Sequence, residues 1–309
     1  MRKHIAIASL VLSLIWVGSA AAATIQFDPD GGGAGAAISI TAFDPLPGNA
    51  IAIGASAGSA PGSTFDLRFQ ANLGTTTLNG LPNYLNGSNG NFFTFVAGFG
   101  ETVLTNTGPG NLTFGLDPAD PVNFFRIYNN KAAFGSDLAG TGFTAGNAIL
   151  TGHIVAQNFT SGFNAAVTAP PQALDQSGVN NYPGVQTVTG SGATSLVVVI
   201  DSFDPLFFPN LVVGGSLLFA NTSQVLPYIQ TDPSALFSSN GIANGDINGV
   251  SSVGPINGNS VLLGFNNTMF QADANIGIIT AVPEPMSLLL LGVGLMGAAG
   301  FNRLRAIKR

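Results

Sequence analysis

The feature that most constrains the fold of this chain is a strict two-residue alternation of apolar and polar side chains at residues 64–73. The apolar members are Phe65, Leu67, Phe69, Ala71 and Leu73, and the polar members between them are Asp66, Arg68, Gln70 and Asn72. Because successive side chains of a β-strand point to opposite faces, this pattern predicts a strand with one buried face and one wet face. No long segment between residues 24 and 281 shows the period of a helix.

Further strand-like runs follow along the chain, separated by clusters of Gly, Asn, Pro and Ser. They are 37–43, 50–54, 92–107, 122–129, 148–157, 185–188, 195–203, 216–219, 260–265 and 268–273. Residues 196–200 form a continuous apolar run, which predicts a strand covered on both faces. The polar stretch 168–185 is predicted as a long loop. Many short strands separated by turn residues indicate an all-β body, an antiparallel sandwich or a barrel.

The N-terminus has the three parts of a secretory signal peptide. A basic region at residues 2–4 precedes an apolar region at 5–17, and a run of small residues follows. The small side chains of Ala21 and Ala23 mark the expected cleavage site. We therefore assign residues 1–23 to a signal peptide helix, which implies export through the secretion machinery.

Most of the positive charge of the chain lies in its two ends. Of the nine Lys and Arg residues, only Arg68, Arg126 and Lys131 fall between residues 24 and 281. Fourteen of the fifteen Asp and Glu residues lie in the same range, so the net charge of this body is 3 − 14 = −11. Such a body repels phosphate backbones, which excludes nucleic acid as a partner.

The chain has no cysteine, which excludes disulfides, thiolate chemistry and Cys metal sites.

The C-terminal segment, residues 282–309, combines a rigid peptide, an apolar run and a basic end. Val282-Pro283-Glu284-Pro285 is followed by sixteen uncharged, mostly apolar residues at 286–301. The basic residues after this run are Arg303, Arg305, Lys308 and Arg309. The pattern predicts a short transmembrane helix stopped by cations on the cytoplasmic side. Because a comfortable span takes roughly 20 residues, the insertion is expected to be transient.

This C-terminal arrangement resembles the PEP-CTERM sorting signal that exosortases recognise in Gram-negative bacteria. The resemblance implies an inner-membrane intermediate, processing by an exosortase-like membrane enzyme, and delivery to the cell surface or the extracellular matrix. The body, residues 24–281, is similar to flocculation-associated PEP-CTERM proteins in several short patches. These are 43–50, 123–128, 138–143, 232–237, 253–258 and 270–275. This second resemblance implies extracellular polysaccharide as a partner and implies no catalytic residues.

One nucleophile pattern opens an enzymatic alternative. Residues 54–58 read Gly-Ala-Ser-Ala-Gly, which places Ser56 in a G-x-S-x-G motif after a strand-like run. His153 is the one histidine outside the signal peptide and would have to act as the base. No helix is predicted after the motif, as a hydrolase elbow requires. A secreted hydrolase is therefore the lesser alternative, and no catalytic residue is assigned.

Calcium is the cofactor alternative, because Ca²⁺ prefers carboxylate, amide and carbonyl oxygens. The carboxylates in suitable loops are Asp28, Asp30, Asp117, Asp120 and Asp246. Asp is also a preferred turn residue, and none of these loops has the EF-hand spacing. We therefore predict no resident cofactor, with a calcium-dependent carbohydrate-binding adhesin as the alternative.

The four tyrosines, Tyr84, Tyr128, Tyr182 and Tyr228, are candidates for stacking on sugar rings. The leading expectation is a non-enzymatic, exported surface or matrix protein that supports flocculation.

Overall fold

The computed structural model describes residues 23–108, 110–259 and 266–279. Within these residues the chain forms nineteen strands and one 3₁₀ turn, Val250–Ser252. The strands are β1 (Ile25–Phe27), β2 (Ile38–Ile40), β3 (Ala42–Pro45), β4 (Gly48–Ile53), β5 (Thr64–Leu78), β6 (Leu81–Leu85), β7 (Phe92–Asn106), β8 (Asn111–Leu116), β9 (Asn123–Asn130), β10 (Asn147–Ala166), β11 (Gln172–Ala173), β12 (Gln186–Thr187), β13 (Thr189–Phe203), β14 (Ser216–Leu226), β15 (Leu236–Phe237), β16 (Ile247–Asn248), β17 (Ile256–Asn257), β18 (Asn267–Asp273) and β19 (Ile276–Ile279). The all-β prediction is confirmed for this part of the chain.

Several sequence predictions fall outside the described residues. These are the signal peptide helix apart from Ala23, the strand at 260–265 and the C-terminal helix within 282–309. In the part of the chain that the structure describes, no helix is long and apolar enough to span a membrane.

Eight antiparallel strands pair into a closed ring. The order around the ring is β9, β7, β5, β4, β18, β14, β13 and β10, and β10 pairs back with β9. The longest strands extend beyond this ring and acquire second neighbours: the C-terminal half of β5 pairs with β3, and that of β10 pairs with β8. A β-bulge between Val155 and Thr160 marks the change of partner along β10. The ring thus encloses a core that is lined from every side by inward-facing side chains.

Aromatic side chains fill most of that core. Phe95, Phe125 and Phe219 are buried, and their rings contact one another in sequence, with centroids 6.3 and 5.5 Å apart. At one end of the ring Phe27 packs edge-to-face against Phe43 and Phe93. Such pairs stabilise the core beyond the apolar area that they bury.

Strand β5 departs from the prediction of one wet face. Its apolar side chains are buried as expected, but Arg68, Gln70 and Asn72 on the opposite face are also buried. Their polar groups donate to loop carbonyls: Arg68 Nε to Ser239 O at 3.0 Å, Gln70 Nε2 to Leu236 O at 3.0 Å, and Asn72 Nδ2 to Gly135 O at 3.0 Å. The polar residues of this face therefore fasten two distant loops onto the sheet instead of facing water.

The two ends of the described body meet at one edge. The Ala23 amide donates to Ile278 O at 3.3 Å, and the Ile278 amide donates to Thr41 O at 3.0 Å. Strand β19 therefore lies beside the first described residues, although more than 250 positions separate them in sequence.

Candidate functional site

The most distinctive surface of the body is an uncharged polar sheet face on neighbouring parts of β7, β8, β10, β13 and β14. Leu112, Phe163 and Thr194 point into the interior of the ring. Because side chains alternate along a strand, their neighbours in sequence point outward. The outward residues, which we call the polar sheet face, are Thr105, Asn111, Thr113, Gly162, Asn164, Ser191, Ala193, Ser195 and Ser223.

Strand register aligns these residues in rows across the sheet. One row runs from Thr105 through Thr113, Gly162 and Ala193 to Ser223. A parallel row joins Asn111, Asn164 and Ser191.

Hydrogen bonds within the polar sheet face are few and local. The hydroxyls of Thr105 and Thr113 lie 2.7 Å apart, and Ser195 Oγ accepts from the Asn221 amide at 2.9 Å. Gly162 and Ala193 leave the centre of the face without large side chains. The surface thus offers hydroxyl and amide groups around a flat centre, which suits hydrogen bonding to a hydroxylated chain.

The proposed nucleophile and base are not brought together. Ser56 is buried and lines a cavity inside the ring, and its hydroxyl accepts from the Gly58 amide at 3.3 Å. His153 is half-exposed on β10, where its Nδ1 lies 2.8 Å from Asp201 Oδ1. Ile154, the next residue, points into the interior, so His153 faces outward. The structure therefore gives no support to a Ser56–His153 pair.

Three of the calcium candidates cap turns. Asp117 Oδ1 accepts from the Ala119 amide at 3.0 Å, and Asp120 Oδ1 accepts from the Val122 amide at 2.7 Å. Asp246 accepts from the amide and hydroxyl of Ser239 at 2.7 and 2.6 Å. These are the short side-chain-to-backbone bonds that make Asp a preferred turn residue.

The other two calcium candidates, Asp28 and Asp30, form one local unit. Asp28 Oδ1 accepts from the Asp30 amide at 3.1 Å, and Asp30 Oδ1 accepts from the Gly32 amide at 2.9 Å. Burial and the neighbouring carboxyl raise the pKa of Asp28, while the hydrogen bond from Asp28 lowers the pKa of Asp30. Among the described residues, no group of three or more His, Asp and Glu side chains is arranged to hold a metal ion.

A titratable cluster that the sequence did not indicate surrounds Asp137, in the loop that covers β5. The Asp137 carboxylate accepts long hydrogen bonds from Asn49 Nδ2 at 3.4 Å and Asn72 Nδ2 at 3.5 Å, and the Thr231 side chain also bonds to it. Burial and then the charge of Asp232 raise the pKa of Asp137 to about 7. The residues of this cluster are distant in sequence, so no local pattern predicts it.

The tyrosines divide between the interior and the surface. Tyr128 and Tyr228 are buried, so the prediction of sugar stacking is wrong for both. Tyr84 and Tyr182 are partly exposed, and each hydroxyl is already bonded, to Asn89 Oδ1 at 2.8 Å and to Leu138 O at 3.0 Å.

No curated protein and no solved structure matches the chain significantly. The family model of the PEP-CTERM protein-sorting motif matches residues 281–305. This range contains Val282, Pro283, Glu284 and Pro285 with Arg303 and Arg305, and it lies outside the described residues. The chain therefore carries a PEP-CTERM sorting signal, which directs an exported protein to an exosortase for processing at the membrane and then to the surface.

Proposed function

We propose that this protein is a non-enzymatic component of the cell surface or extracellular matrix of a Gram-negative bacterium, where it binds polysaccharide and supports flocculation. The observation that carries the proposal is the sorting signal at residues 281–305, which places a β-sheet body outside the cell. Extracellular polysaccharide is the partner that the resemblance to flocculation-associated PEP-CTERM proteins implies for such a body.

The polar sheet face is the surface that we assign to the polymer. It presents side-chain hydroxyls and amides, each of which donates and accepts hydrogen bonds, as sugar hydroxyls also do. Five neighbouring strands about 4.8 Å apart give it a width of roughly 20 Å. This width accommodates several consecutive sugar units of an extended chain.

The net charge of the body favours a neutral polysaccharide over a polyanionic one. With a net charge of 3 − 14 = −11 between residues 24 and 281, the body repels polyanions at low salt. The residues of the polar sheet face carry no charge of their own. A neutral polysaccharide therefore meets no repulsion there and leaves no buried charge unpaired.

The decisive experiment deletes the gene and scores flocculation and polymer retention. Complementation with the wild-type chain should restore both. Ala193→Glu places a charge at the centre of the polar sheet face and should fail to restore polymer retention. Ala148→Glu is the matched control, because Ala148 is exposed on β10 away from that face.

Two outcomes would overturn the proposal. An unchanged phenotype after deletion would remove the role in flocculation. Equal complementation by Ala193→Glu and Ala148→Glu, at equal surface abundance, would remove the assignment of the polar sheet face.

A further inference from the structure

The turn between β13 and β14, residues 204–215, exposes apolar side chains. Leu206, Val212 and Val213 are 52%, 62% and 66% exposed. No residue from 205 to 215 carries a charge. A single exposed apolar residue is ordinary, whereas several on one uncharged turn indicate a surface that contacts an apolar partner.

Buried side chains and hydrogen bonds hold this turn in place. Phe207 and Phe208 are buried in the core. The Asp28 amide donates to Phe207 O at 2.8 Å, and the Gln26 amide donates to Asn210 Oδ1 at 2.7 Å. The exposed side chains of the turn therefore keep a fixed position relative to the core.

The turn lies beside the point where the chain leaves the body toward its C-terminal segment. Strand β14 begins directly after the turn at Ser216, which pairs with Ile279, the last residue of β19. A groove of about 180 Å³ is lined by Leu211 and Val212 of the turn and by Ile25 and Ile279 near the two chain ends. The apolar turn and the start of the C-terminal segment therefore share one edge of the body.

Only a short linker joins this edge to the predicted membrane segment. Six residues, 280–285, lie between β19 and the apolar run at 286–301. While that run is inserted, the linker keeps the turn near the lipid headgroups and gives it an effective concentration there on the order of millimolar. The bilayer is therefore the apolar phase that the turn meets first.

We propose that the turn at 204–215 is a membrane-contact surface whose exposed leucine and valine side chains enter the bilayer interface while the C-terminal segment is inserted. The lipids it fits have zwitterionic headgroups, because the net charge between residues 24 and 281 is 3 − 14 = −11 and the turn supplies no cation for an anionic headgroup. The inference rests on the sorting signal and goes beyond the proposed function, since it involves no polysaccharide.

The contact depends on the tether. The side chains of Leu206, Val212 and Val213 together hold fewer carbon atoms than one myristoyl chain, which by itself gives only marginal, reversible membrane binding. They therefore orient the body while the C-terminal segment holds it at the membrane, and they do not retain it afterwards.

This orientation directs the polar sheet face away from the lipid. Ser223 of that face lies seven residues beyond Ser216 along β14, which is roughly 23 Å of strand. The membrane-contact surface and the polar sheet face thus lie toward opposite ends of the barrel.

The test uses the absence of cysteine, because a single introduced cysteine can carry a fluorophore that reports the polarity around one position. Val213→Cys is labelled in the exported chain with its C-terminal segment intact, inserted in vesicles of phosphatidylcholine and phosphatidylethanolamine. We expect the emission to shift to shorter wavelength and to be quenched by nitroxide-labelled lipids. Leu104→Cys is the matched control, since Leu104 is 57% exposed on β7 beside Thr105 of the polar sheet face, and its label should show neither effect.

Two added charges test the apolar character of the contact. Val212→Asp combined with Val213→Asp, read by a label on Leu206→Cys, should abolish the shift and the quenching, because carboxylates are costly in the bilayer. Leu104→Asp should leave both effects unchanged. Both valines are exposed, so the folded body should tolerate the substitutions.

Three results would overturn the proposal. An unshifted emission at Val213→Cys would mean that the turn faces water. A shift without quenching by lipid would mean that another part of the chain or a second copy covers it. Unchanged quenching in the double aspartate variant would mean that the apolar side chains do not make the contact. None of these results bears on polymer retention, which the complementation experiment measures separately.

Discussion

Glu101 makes the stability of the barrel depend on pH in a way that one substitution isolates. Its carboxyl is 2% exposed, and its pKa is raised from 4.5 to about 8 because burial disfavours the charged form. In the folded protein the group therefore keeps its proton over a pH range in which the unfolded chain has lost it. Glu101→Gln keeps the shape of the side chain and removes its titration.

The sign and size follow from linkage between proton binding and folding. A raised pKa means that the folded state binds more protons than the unfolded state between pH 4.5 and about 8. The free energy of unfolding therefore falls as pH rises through this window, by roughly 1–1.5 kcal/mol per pH unit for one group. Over the whole window the loss amounts to about 3–5 kcal/mol. Below pH 4.5 the contribution is complete, and above about 8 it changes no further.

Urea unfolding of the wild type and of Glu101→Gln across pH 4 to 9 measures this effect. The difference in unfolding free energy between the two proteins should shift by about 3–5 kcal/mol in favour of the variant as pH rises. Asp201→Asn is the control, since the Asp201 side chain is half-exposed, and it should not reproduce the shift. Parallel pH curves for the wild type and Glu101→Gln would refute the assignment of a buried neutral acid.

Four further predictions follow from the fold and the sorting signal. In the wild type, the free energy of unfolding should fall as pH rises from 3.8 to about 7, because the pKa of Asp137 is raised in the folded protein. Asp137→Asn should remove this fall, as urea unfolding at pH values between these limits would measure. Asn86→Ala should lower the unfolding free energy by about 2–4 kcal/mol in urea titrations, since Asn86 is buried and bonds the backbone of Leu73 and Phe93. Phe125→Ala should cost about 3–5 kcal/mol in the same assay by opening the aromatic core, and the exposed Phe134→Ala should cost far less. Mass spectrometry of the mature protein should find the peptide Arg303–Arg309 missing, whereas its retention would mean that the chain stays anchored.

The fold class was predictable because the strand signal is local, whereas the burial of each face was not. The alternation at 64–73 predicts β5, but the loops that cover Arg68, Gln70 and Asn72 come from Gly135 and from residues 236–239. A local sequence pattern carries no information about which distant loops will bury the second face of a strand.

Among the candidate sites too, a site within one short segment could be predicted from the sequence, whereas a site built from distant residues could not. The sequence indicated the sorting signal directly, because its chemistry lies in one short segment. Glu101 also has a local sequence signal, since it is the one glutamate between residues 24 and 281 and follows the largely apolar run at 92–100. The polar sheet face required the register of five strands, which neither propensity nor alternation supplies.

The meeting of the two ends of the body has a consequence for the order of events at the membrane. Strand β19 ends at Ile279, and the apolar run begins at residue 286, so at most about 25 Å of extended chain separates the last strand from the predicted membrane segment. Because β18 closes the ring between β4 and β14, and β19 pairs with β14 and β3, the sheet is completed only by the last strands of the described body. With residues 286–301 inserted as predicted, the folded body would lie close to the bilayer, attached at the edge where its two ends meet. We therefore expect an exosortase to act on the Pro-Glu-Pro peptide close to a folded body, and removal of the segment after this peptide would leave that edge of the body free.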